Sequence, residues 1–212
     1  MKILLLAGGA WYHDQPAHRR ALMACLEPHF DVHMTHYPER ALDGDLSGFD
    51  VIADYTSWWE PSEAQCRNLL AAVANGTGFA CLHPATASWM NSREYHDMVG
   101  GTFVFHDPNK LLRVETEASR HYKTREGLLE SSAITEGVGE FEVQDELYVV
   151  DGDITRWRIL ARSQGHPVVW TKPYGKGRVF SISLGHDERA LGHPSVQQLY
   201  VRGIQWAGGR LG

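Results

Sequence analysis

The first half of the chain alternates short apolar runs with segments of helical periodicity. Lys2–Ala7 is a short apolar run that ends at two glycines, which is typical of a strand buried on both faces. Helices are predicted after Pro16 and Pro61 because apolar residues follow each proline at intervals of three or four positions. The other elements predicted in this half are strands at Asp31–Tyr37, Asp50–Thr56 and Thr77–Leu82, and a short helix at Ser92–Val99.

The pattern changes between residues 102 and 184, where β-like runs follow one another with few helical patterns between them. The predicted strands are Phe103–Phe105, Leu111–Glu115, Glu146–Val150, Trp157–Arg162, Pro167–Thr171 and Arg178–Leu184. Glycines in the segment 174–177 predict a hairpin turn before the last strand. Apolar residues on one face then predict a final helix at Pro194–Ala207.

This order of elements predicts an α/β fold. We expect an open, flavodoxin-like and mostly parallel sheet with helices on both faces, extended by antiparallel strands in the second half. The length of 212 residues and the apolar fraction of 43% predict one domain over residues 1–212. Ligands bind outside the carboxyl ends of the strands in such sheets, so residues that follow strands are the first candidates for function.

Composition narrows the class of partner. A net charge of −6 argues against a nucleic-acid-binding protein, which needs a basic face. The apolar run near the N-terminus is too short for a signal peptide or a membrane span, and three widely spaced cysteines suit reduced thiols. We therefore expect a cytoplasmic protein without a membrane partner.

The chain contains 12 histidines, and strand ends separate four of them from the rest. His13, His83, His106 and His186 each follow a predicted strand, whereas the other eight are interpreted as surface or hydrogen-bonded histidines. Histidine is the residue that titrates near neutral pH and the commonest metal ligand. These four could serve in acid and base catalysis or hold a divalent metal such as zinc, with the Asp145–Glu146 pair as the nearby acid.

Aromatic residues lie beside the same predicted strand ends. Tyr12 precedes His13, and three tryptophans follow the third and fourth strands: Trp58, Trp59 and Trp89. Aromatic faces next to polar groups commonly stack on sugar rings. Core packing is the favoured interpretation for any single tryptophan, and the clustering at strand ends makes binding about equally favoured. We expect these four residues, together with His13 and His106, to contact the substrate.

Several common catalytic motifs are missing from the sequence. There is no G-x-S-x-G or G-x-C-x-G elbow, and Cys81 lies inside a predicted strand, so a cysteine nucleophile is not expected. The glycine pairs match neither a P-loop nor a dinucleotide fingerprint, and no H-E-x-x-H metal motif occurs.

A series of weak motifs runs over nearly the whole chain in one order. They are Gly78–His83, Gly100–Phe103 with His106, Phe141–Tyr148, Pro167–Trp170, Gly175–Phe180 leading to Leu184–His186, and Gly203–Ala207. Together they resemble the ThuA-like (trehalose utilisation) family. The resemblance implies a class I glutamine amidotransferase-like fold and a role in sugar metabolism.

The resemblance also bears on single residues. In the amidotransferase relatives a cysteine nucleophile occupies the turn that here holds His83, so glutamine hydrolysis is not expected. His186 is similar to the relatives' catalytic histidine, with Glu188 at the same His-x-Glu spacing. Family members often carry a His-Pro pair before the dipeptide that corresponds to Ile134–Thr135, and this chain has Ser132–Ala133 there.

Three functions follow as hypotheses. The first is an enzyme that acts on a disaccharide or keto-sugar, with His83 and His186 as acid and base and Asp145 or Glu146 assisting. The second is a non-catalytic carbohydrate-binding or regulatory module on an amidotransferase-like scaffold. The third is a metal-assisted hydrolase whose candidate ligands are the four strand-end histidines: His13, His83, His106 and His186. Each takes a small carbohydrate as its partner, and a homo-oligomer is compatible with all three.

Overall fold

A computed structural model describes residues 1–119, 123–124, 127–128 and 132–212. Its helices are α1 (Pro16–Leu26), α2 (Pro38–Leu42), α3 (Glu63–Ala74), α4 (Arg93–Val99), α5 (Glu188–Leu191) and α6 (Pro194–Ala207). Its strands are β1 (Lys2–Gly9), β2 (Asp31–Thr35), β3 (Val51–Ser57), β4 (Gly78–Leu82), β5 (Thr102–His106), β6 (Lys110–Thr116), β7 (Lys123–Thr124), β8 (Gly127–Leu128), β9 (Phe141–Asp145), β10 (Tyr148–Asp151), β11 (Arg158–Ser163), β12 (His166–Tyr174) and β13 (Gly177–Ile182).

The main sheet has nine strands in the order β2-β1-β3-β4-β13-β12-β11-β6-β9. The first five are parallel, and each later neighbour is antiparallel to the one before it. Four antiparallel steps separate β13 from β9, so β9 points in the same direction as the parallel strands. The predicted mostly parallel sheet with antiparallel additions is confirmed, and β5 and β10 form a separate two-stranded ribbon.

Helices cover both faces of this sheet, as the pattern of the sequence predicts. Ile3 and Leu5 of β1 pack into one apolar core with α1, α5 and α6, whereas Leu4 and Leu6 pack into a second core with α2, α3 and α4. Successive strand side chains point to opposite faces, which explains why β1 is almost uniformly apolar. None of the helices in the described part of the chain is long and apolar enough to cross a membrane.

Local sequence signals set several element boundaries. Ser62 and Gln65 form a capping box at the start of α3, and Ser92 caps α4, which ends at Gly100 with a φ of 106°. β12 and β13 meet at the predicted hairpin, where Tyr174 is opposite Gly177. The three cysteines are buried: Cys25 on α1, Cys66 on α3 and Cys81 on β4.

The structure differs from the predicted elements mainly around β9 and β10. The predicted strand at Glu146–Val150 is instead β10, which begins at Tyr148, and the preceding β9 was not predicted. β9 lies at the edge of the sheet and alternates buried with more exposed residues, so it lacks a continuous apolar run. The short helices α2 and α5 were also missed, because five and four residues are too few to show helical periodicity.

Candidate active site

Four side chains converge at the edge of the sheet where the parallel strands end. His13 follows β1, His83 follows β4, Glu146 follows β9 and His186 follows β13. One nitrogen or oxygen atom from each of the four lies within 4.8 Å of the others. Of the four histidines predicted at strand ends, the structure brings His13, His83 and His186 together, and His106 lies outside the group. β9 brings Glu146 to the same edge because it runs parallel to β13.

His83 is the most deeply placed member of the cluster. It is fully buried and has a φ of 31°, in the left-handed region that residues other than glycine seldom adopt. Its Nδ1 lies 2.9 Å from the Ser183 carbonyl oxygen, an acceptor, so Nδ1 carries the proton. Nε2 is therefore the unprotonated nitrogen of the neutral ring, and it lies 3.8 Å from Oε2 of Glu146. Burial, with added repulsion from His13 and His186, lowers the pKa of His83 well below its usual value.

His13 has a similar arrangement of its two ring nitrogens. Nδ1 lies 3.0 Å from the hydroxyl oxygen of Ser57, and Nε2 lies 3.1 Å from Nδ1 of His186. Burial lowers the pKa of His13 to about 3, and nearby histidines, with His186 first, contribute to the shift. At neutral pH this ring is therefore uncharged, and one of its two nitrogens carries a lone pair.

His186 and Glu146 form the more polar side of the cluster. Nδ1 of His186 lies 3.0 Å from Oε2 of Glu146. Burial alone would lower the pKa of His186, but the Glu146 carboxylate outweighs it and raises the pKa above its usual value. His106 lies 3.5 Å from the other Glu146 oxygen through its Nδ1, but it is outside the four-residue cluster.

Asp145 supports this cluster from behind instead of facing the pocket. Its two carboxylate oxygens accept hydrogen bonds from the backbone amides of Glu146, Gly185 and His186, at 2.9, 2.7 and 3.1 Å. Burial raises the pKa of Asp145 to about 7, although those hydrogen bonds oppose the shift. The structure therefore places Asp145 next to the cluster, held by backbone amides and outside the lining of the cavity described below, and its expected assisting role stays a prediction.

A cavity of about 350 Å³ opens above the cluster. Its lining residues are Tyr12, His13, Trp58, Phe103, His106, Glu146, Tyr148 and His186. Trp58 is half exposed and its ring meets that of Phe103 edge to face, with 6.1 Å between the ring centres. Of the predicted contact residues, Tyr12, His13, Trp58 and His106 line this cavity.

Two of the predicted contact residues do not line the cavity. Trp89 is fully buried, its Nε1 donates a hydrogen bond to Asp54 at 2.8 Å, and its ring stacks on Tyr95. Trp59 packs against Trp89, with 5.3 Å between the ring centres. The prediction that Trp89 contacts substrate is wrong, because its ring is fully buried in the core, as is common for tryptophan. Trp59 is partly buried and lies outside the lining, and its contact with substrate stays a prediction.

Sequence reasoning missed several residues around the cluster. His18 was interpreted as a surface residue, but it is buried and its Nδ1 lies 3.0 Å from the His13 carbonyl oxygen. His96 is also buried, and His121 lies outside the described residues. Tyr148 lines the cavity with its ring centre 4.5 Å from that of His83. Ser57 could have been found, because it is the last residue of β3 and strand ends were the signal used for the histidines.

The donor set of this cluster fits a divalent metal of the zinc type. Zinc binds imidazole nitrogen and carboxylate oxygen at about 2.0–2.2 Å, which places tetrahedral ligands roughly 3.3–3.6 Å apart. The neighbouring donor atoms here are separated by 3.0, 3.1 and 3.8 Å. Metal-binding histidines usually donate their other N–H to an oxygen, as His83 does to the Ser183 carbonyl. The Ser57 hydroxyl, 3.0 Å from Nδ1 of His13, can accept such a bond.

Comparisons with known proteins agree with this fold. Residues 2–207 match the family described as ThuA, trehalose utilisation. A protein from Parabacteroides merdae ATCC 43184 described as ThuA-like has a similar structure, with a TM-score of 0.83 and 20% identity over 99% of this chain and 91% of that chain. A cytoplasmic protein from Salmonella typhimurium LT2 has a TM-score of 0.71 and 14% identity over 98% of this chain and 99% of that chain.

A more distant similarity is to part of a larger enzyme. β-Galactosidase from Bacillus circulans sp. alkalophilus matches with a TM-score of 0.61 and 12% identity, over 96% of this chain but 31% of that chain. At these identities the solved structures show a shared fold and nothing further. No curated protein sequence matches the chain.

Proposed function

Because the chain belongs to the ThuA (trehalose utilisation) family and gathers three histidines and a glutamate at its strand ends, we propose that it is a metal-dependent enzyme that processes a small carbohydrate. The expected substrate is a disaccharide or its keto derivative. The family's name supports the carbohydrate part of the proposal, and the cluster of His13, His83, Glu146 and His186 carries the catalytic part.

The protonation of the cluster favours metal binding over histidine acid–base chemistry alone. An efficient acid or base has a pKa near the working pH. The pKa values of His13 and His83 are instead lowered, to about 3 for His13, mainly by burial. Neutral imidazoles with their second nitrogen held by an oxygen are what a metal ion requires of histidine ligands. The Nε2 atom of His83 is buried and makes no hydrogen bond within the described structure, which also fits a ligand atom.

Each residue then has a separate task. A bound divalent metal supplies Lewis acidity to a substrate oxygen or lowers the pKa of a water molecule. Nε2 of His13, Nε2 of His83, Nδ1 of His186 and a Glu146 oxygen form its site. His106 lines the cavity outside this set, and its side chain is about one-third exposed, so it can hydrogen-bond to a bound sugar.

The cavity wall supports a carbohydrate as the ligand. Its volume of about 350 Å³ is at the lower end of the usual range for small-molecule sites. Trp58 and Phe103 offer aromatic surface beside the polar cluster, and the phenol groups of Tyr12 and Tyr148 can hydrogen-bond to hydroxyls. This combination suits a small sugar better than a long polysaccharide.

Turnover with and without metal tests the proposal. Disaccharides and their 3-keto derivatives are incubated with protein loaded with zinc or manganese, with chelated protein, and with the His83→Ala variant, and products are detected by mass spectrometry. We expect product only with the loaded wild type. The matched control is His29→Ala, which removes an exposed histidine on another surface and should keep full activity.

Two other outcomes would replace the proposal by one of its alternatives. Activity that survives complete chelation would favour acid–base catalysis by the His186–Glu146 pair, in which the carboxylate raises the pKa of the histidine. Sugar binding without any product would favour a carbohydrate-binding module.

We also propose a cytoplasmic location, which the description of the Salmonella relative supports.

A further inference from the structure

A second cavity, of about 490 Å³, lies at the start of β5 and next to the histidine pocket. Its walls come from residues between 90 and 97, Gly100–Thr102, residues between 151 and 157, and Lys172 of β12, and none of the described residues lines both cavities. Thr102 of β5 lines the second cavity, whereas Phe103 and His106 line the histidine pocket. The two cavities are therefore neighbours along β5 that are lined by different residues.

Lys172 places a buried amine at this cavity. The residue is only 5% exposed, and its Nζ donates a hydrogen bond to the backbone carbonyl of Asp97. An ammonium group has three N–H donors, and this carbonyl is the one acceptor recorded for it in the described structure. No carboxylate in the described residues lies within 4 Å of Nζ, so the ammonium lacks an ion-pair partner. Burying such a charge is costly unless it is paired.

Two arginines line the same cavity, Arg93 and Arg156. Within the part of the chain that the structure describes, neither guanidinium makes an ion pair or a hydrogen bond. Burial lowers the pKa of Lys172, and repulsion from the nearby Arg156 guanidinium lowers it further. The negative charge of Asp97 raises the pKa, but by less than these two effects lower it. Like charges gathered without a partner are destabilising unless an anion joins them.

The cavity also contains carboxylates, which restrict what the ligand can be. Asp153 is already engaged, because it caps the short turn that leads to Arg156 by accepting hydrogen bonds from Thr155. Asp97 and Asp151 also line the cavity, and their carboxylates make no side-chain hydrogen bond to any residue that the structure describes. Carboxylates beside cations suit a ligand that carries hydroxyl groups as well as a negative charge, because hydroxyls donate to carboxylates.

We propose that this second cavity binds a phosphate or carboxylate group carried by a small polyhydroxylated molecule. Lys172 and Arg156 hold the oxyanion, with Arg93 at the rim, and Asp97 and Asp151 accept hydrogen bonds from its hydroxyl groups. Charge-assisted hydrogen bonds of this kind are stronger than neutral ones, and arginine matches the geometry of both oxyanions.

Calorimetric titration at low ionic strength tests this site with four probes: inorganic phosphate, glucose 6-phosphate, glucuronate and glucose. We expect the two charged sugars to bind more tightly than inorganic phosphate, and glucose not to bind at this cavity. The stronger of the two charged sugars identifies the oxyanion as phosphate or carboxylate. Backbone amide NMR locates the binding, with shifts expected at Gly100, Gly101 and Gly152 and not at Gly185.

Charge-removing variants decide whether the cations are responsible. Arg156→Gln should weaken binding of the charged sugar at least about tenfold, because it removes one charge-assisted contact from an exposed position. Lys172→Met should do the same if it folds, and Arg156→Gln alone suffices if it does not. The matched control, Arg67→Gln, removes one positive charge from the exposed face of α3 and should leave the dissociation constant within twofold.

Three results would overturn the proposal. The first is that no charged probe binds at 10 mM, which is taken as about the weakest affinity of interest. The second is that Arg156→Gln and Arg67→Gln weaken binding equally. The third is that the amide shifts are confined to the histidine pocket. The first and third leave the proposed metal-dependent function untouched, since that function rests on a different cavity.

Discussion

Gly185 immediately precedes His186, and its backbone has a φ of 118°, in a region that side-chain-bearing residues rarely adopt. Its carbonyl accepts a hydrogen bond of 2.7 Å from Tyr55, and its amide donates to Asp145. A Cβ atom at this position would collide with the hydroxyl of Tyr200. We therefore predict that Gly185→Ala destabilises the fold and moves His186 away from the cluster.

The size of this effect follows from two contributions. A residue forced into a sparsely populated backbone conformation costs about 1–3 kcal/mol. In the wild type, the Tyr200 hydroxyl donates a 2.8 Å hydrogen bond to the Leu184 carbonyl. Displacing this hydroxyl leaves the buried carbonyl oxygen without a donor, which costs about 1–3 kcal/mol more. The free energy of unfolding should fall by roughly 2–6 kcal/mol in total.

Urea unfolding of wild type, Gly185→Ala and Gly209→Ala measures this difference. Gly209 has a φ of 72° and open space where its Cβ would stand, so its variant carries backbone strain without a collision. We expect Gly185→Ala to lose at least about 1 kcal/mol more than Gly209→Ala, and to bind metal more weakly. Equal losses of stability, with unchanged metal affinity, would show that the collision with Tyr200 neither destabilises the fold nor moves His186.

Two further predictions concern the cavity wall and the buried Asp54. Trp58→Ala should weaken sugar binding about tenfold in calorimetry, since aromatic contacts contribute on the order of 1 kcal/mol beyond their buried area. Trp11→Ala, which changes an exposed residue outside the lining, should leave binding unchanged. Equal effects of the two substitutions would contradict a stacking role for Trp58. Burial raises the pKa of Asp54 from 3.8 to about 6, so Asp54 binds a proton more tightly in the folded protein than in the unfolded chain. The resulting contribution to the free energy of unfolding is complete below about pH 4 and is lost as the pH rises through about 6. Asp54→Asn should therefore show a smaller loss of unfolding free energy between pH 4 and about pH 7 than the wild type in urea titrations, and an unchanged slope would count against this assignment.

The sheet could be predicted from the sequence because its parallel strands are buried on both faces. Such strands appear as short apolar runs, and the helices between them have clear apolar stripes. The edge strand β9 could not be found in this way, because only one of its faces is buried and its sequence is largely polar. The position of Glu146 at the carboxyl end of a strand was therefore hidden.

The candidate site was partly predictable for a similar reason. His83 and His186 follow strongly apolar strands, so the rule about strand ends located them. The separate fates of Trp58 and Trp89 were not predictable, because both follow a strand and both have positive φ, yet one is half exposed and the other fully buried. Burial of Trp89 depends on its partners Asp54 and Tyr95, which are distant in sequence.

The metal content of the purified protein is the most direct test of a metal site formed by His13, His83, Glu146 and His186. Protein purified without a chelator or a metal-affinity tag is supplemented with zinc or manganese, dialysed, and examined by elemental analysis beside Glu146→Gln and His29→Ala. We predict about one metal ion per chain in the wild type and in His29→Ala, and a clear loss in Glu146→Gln. Sub-stoichiometric metal in the supplemented wild type, or equal content in all three proteins, would contradict it.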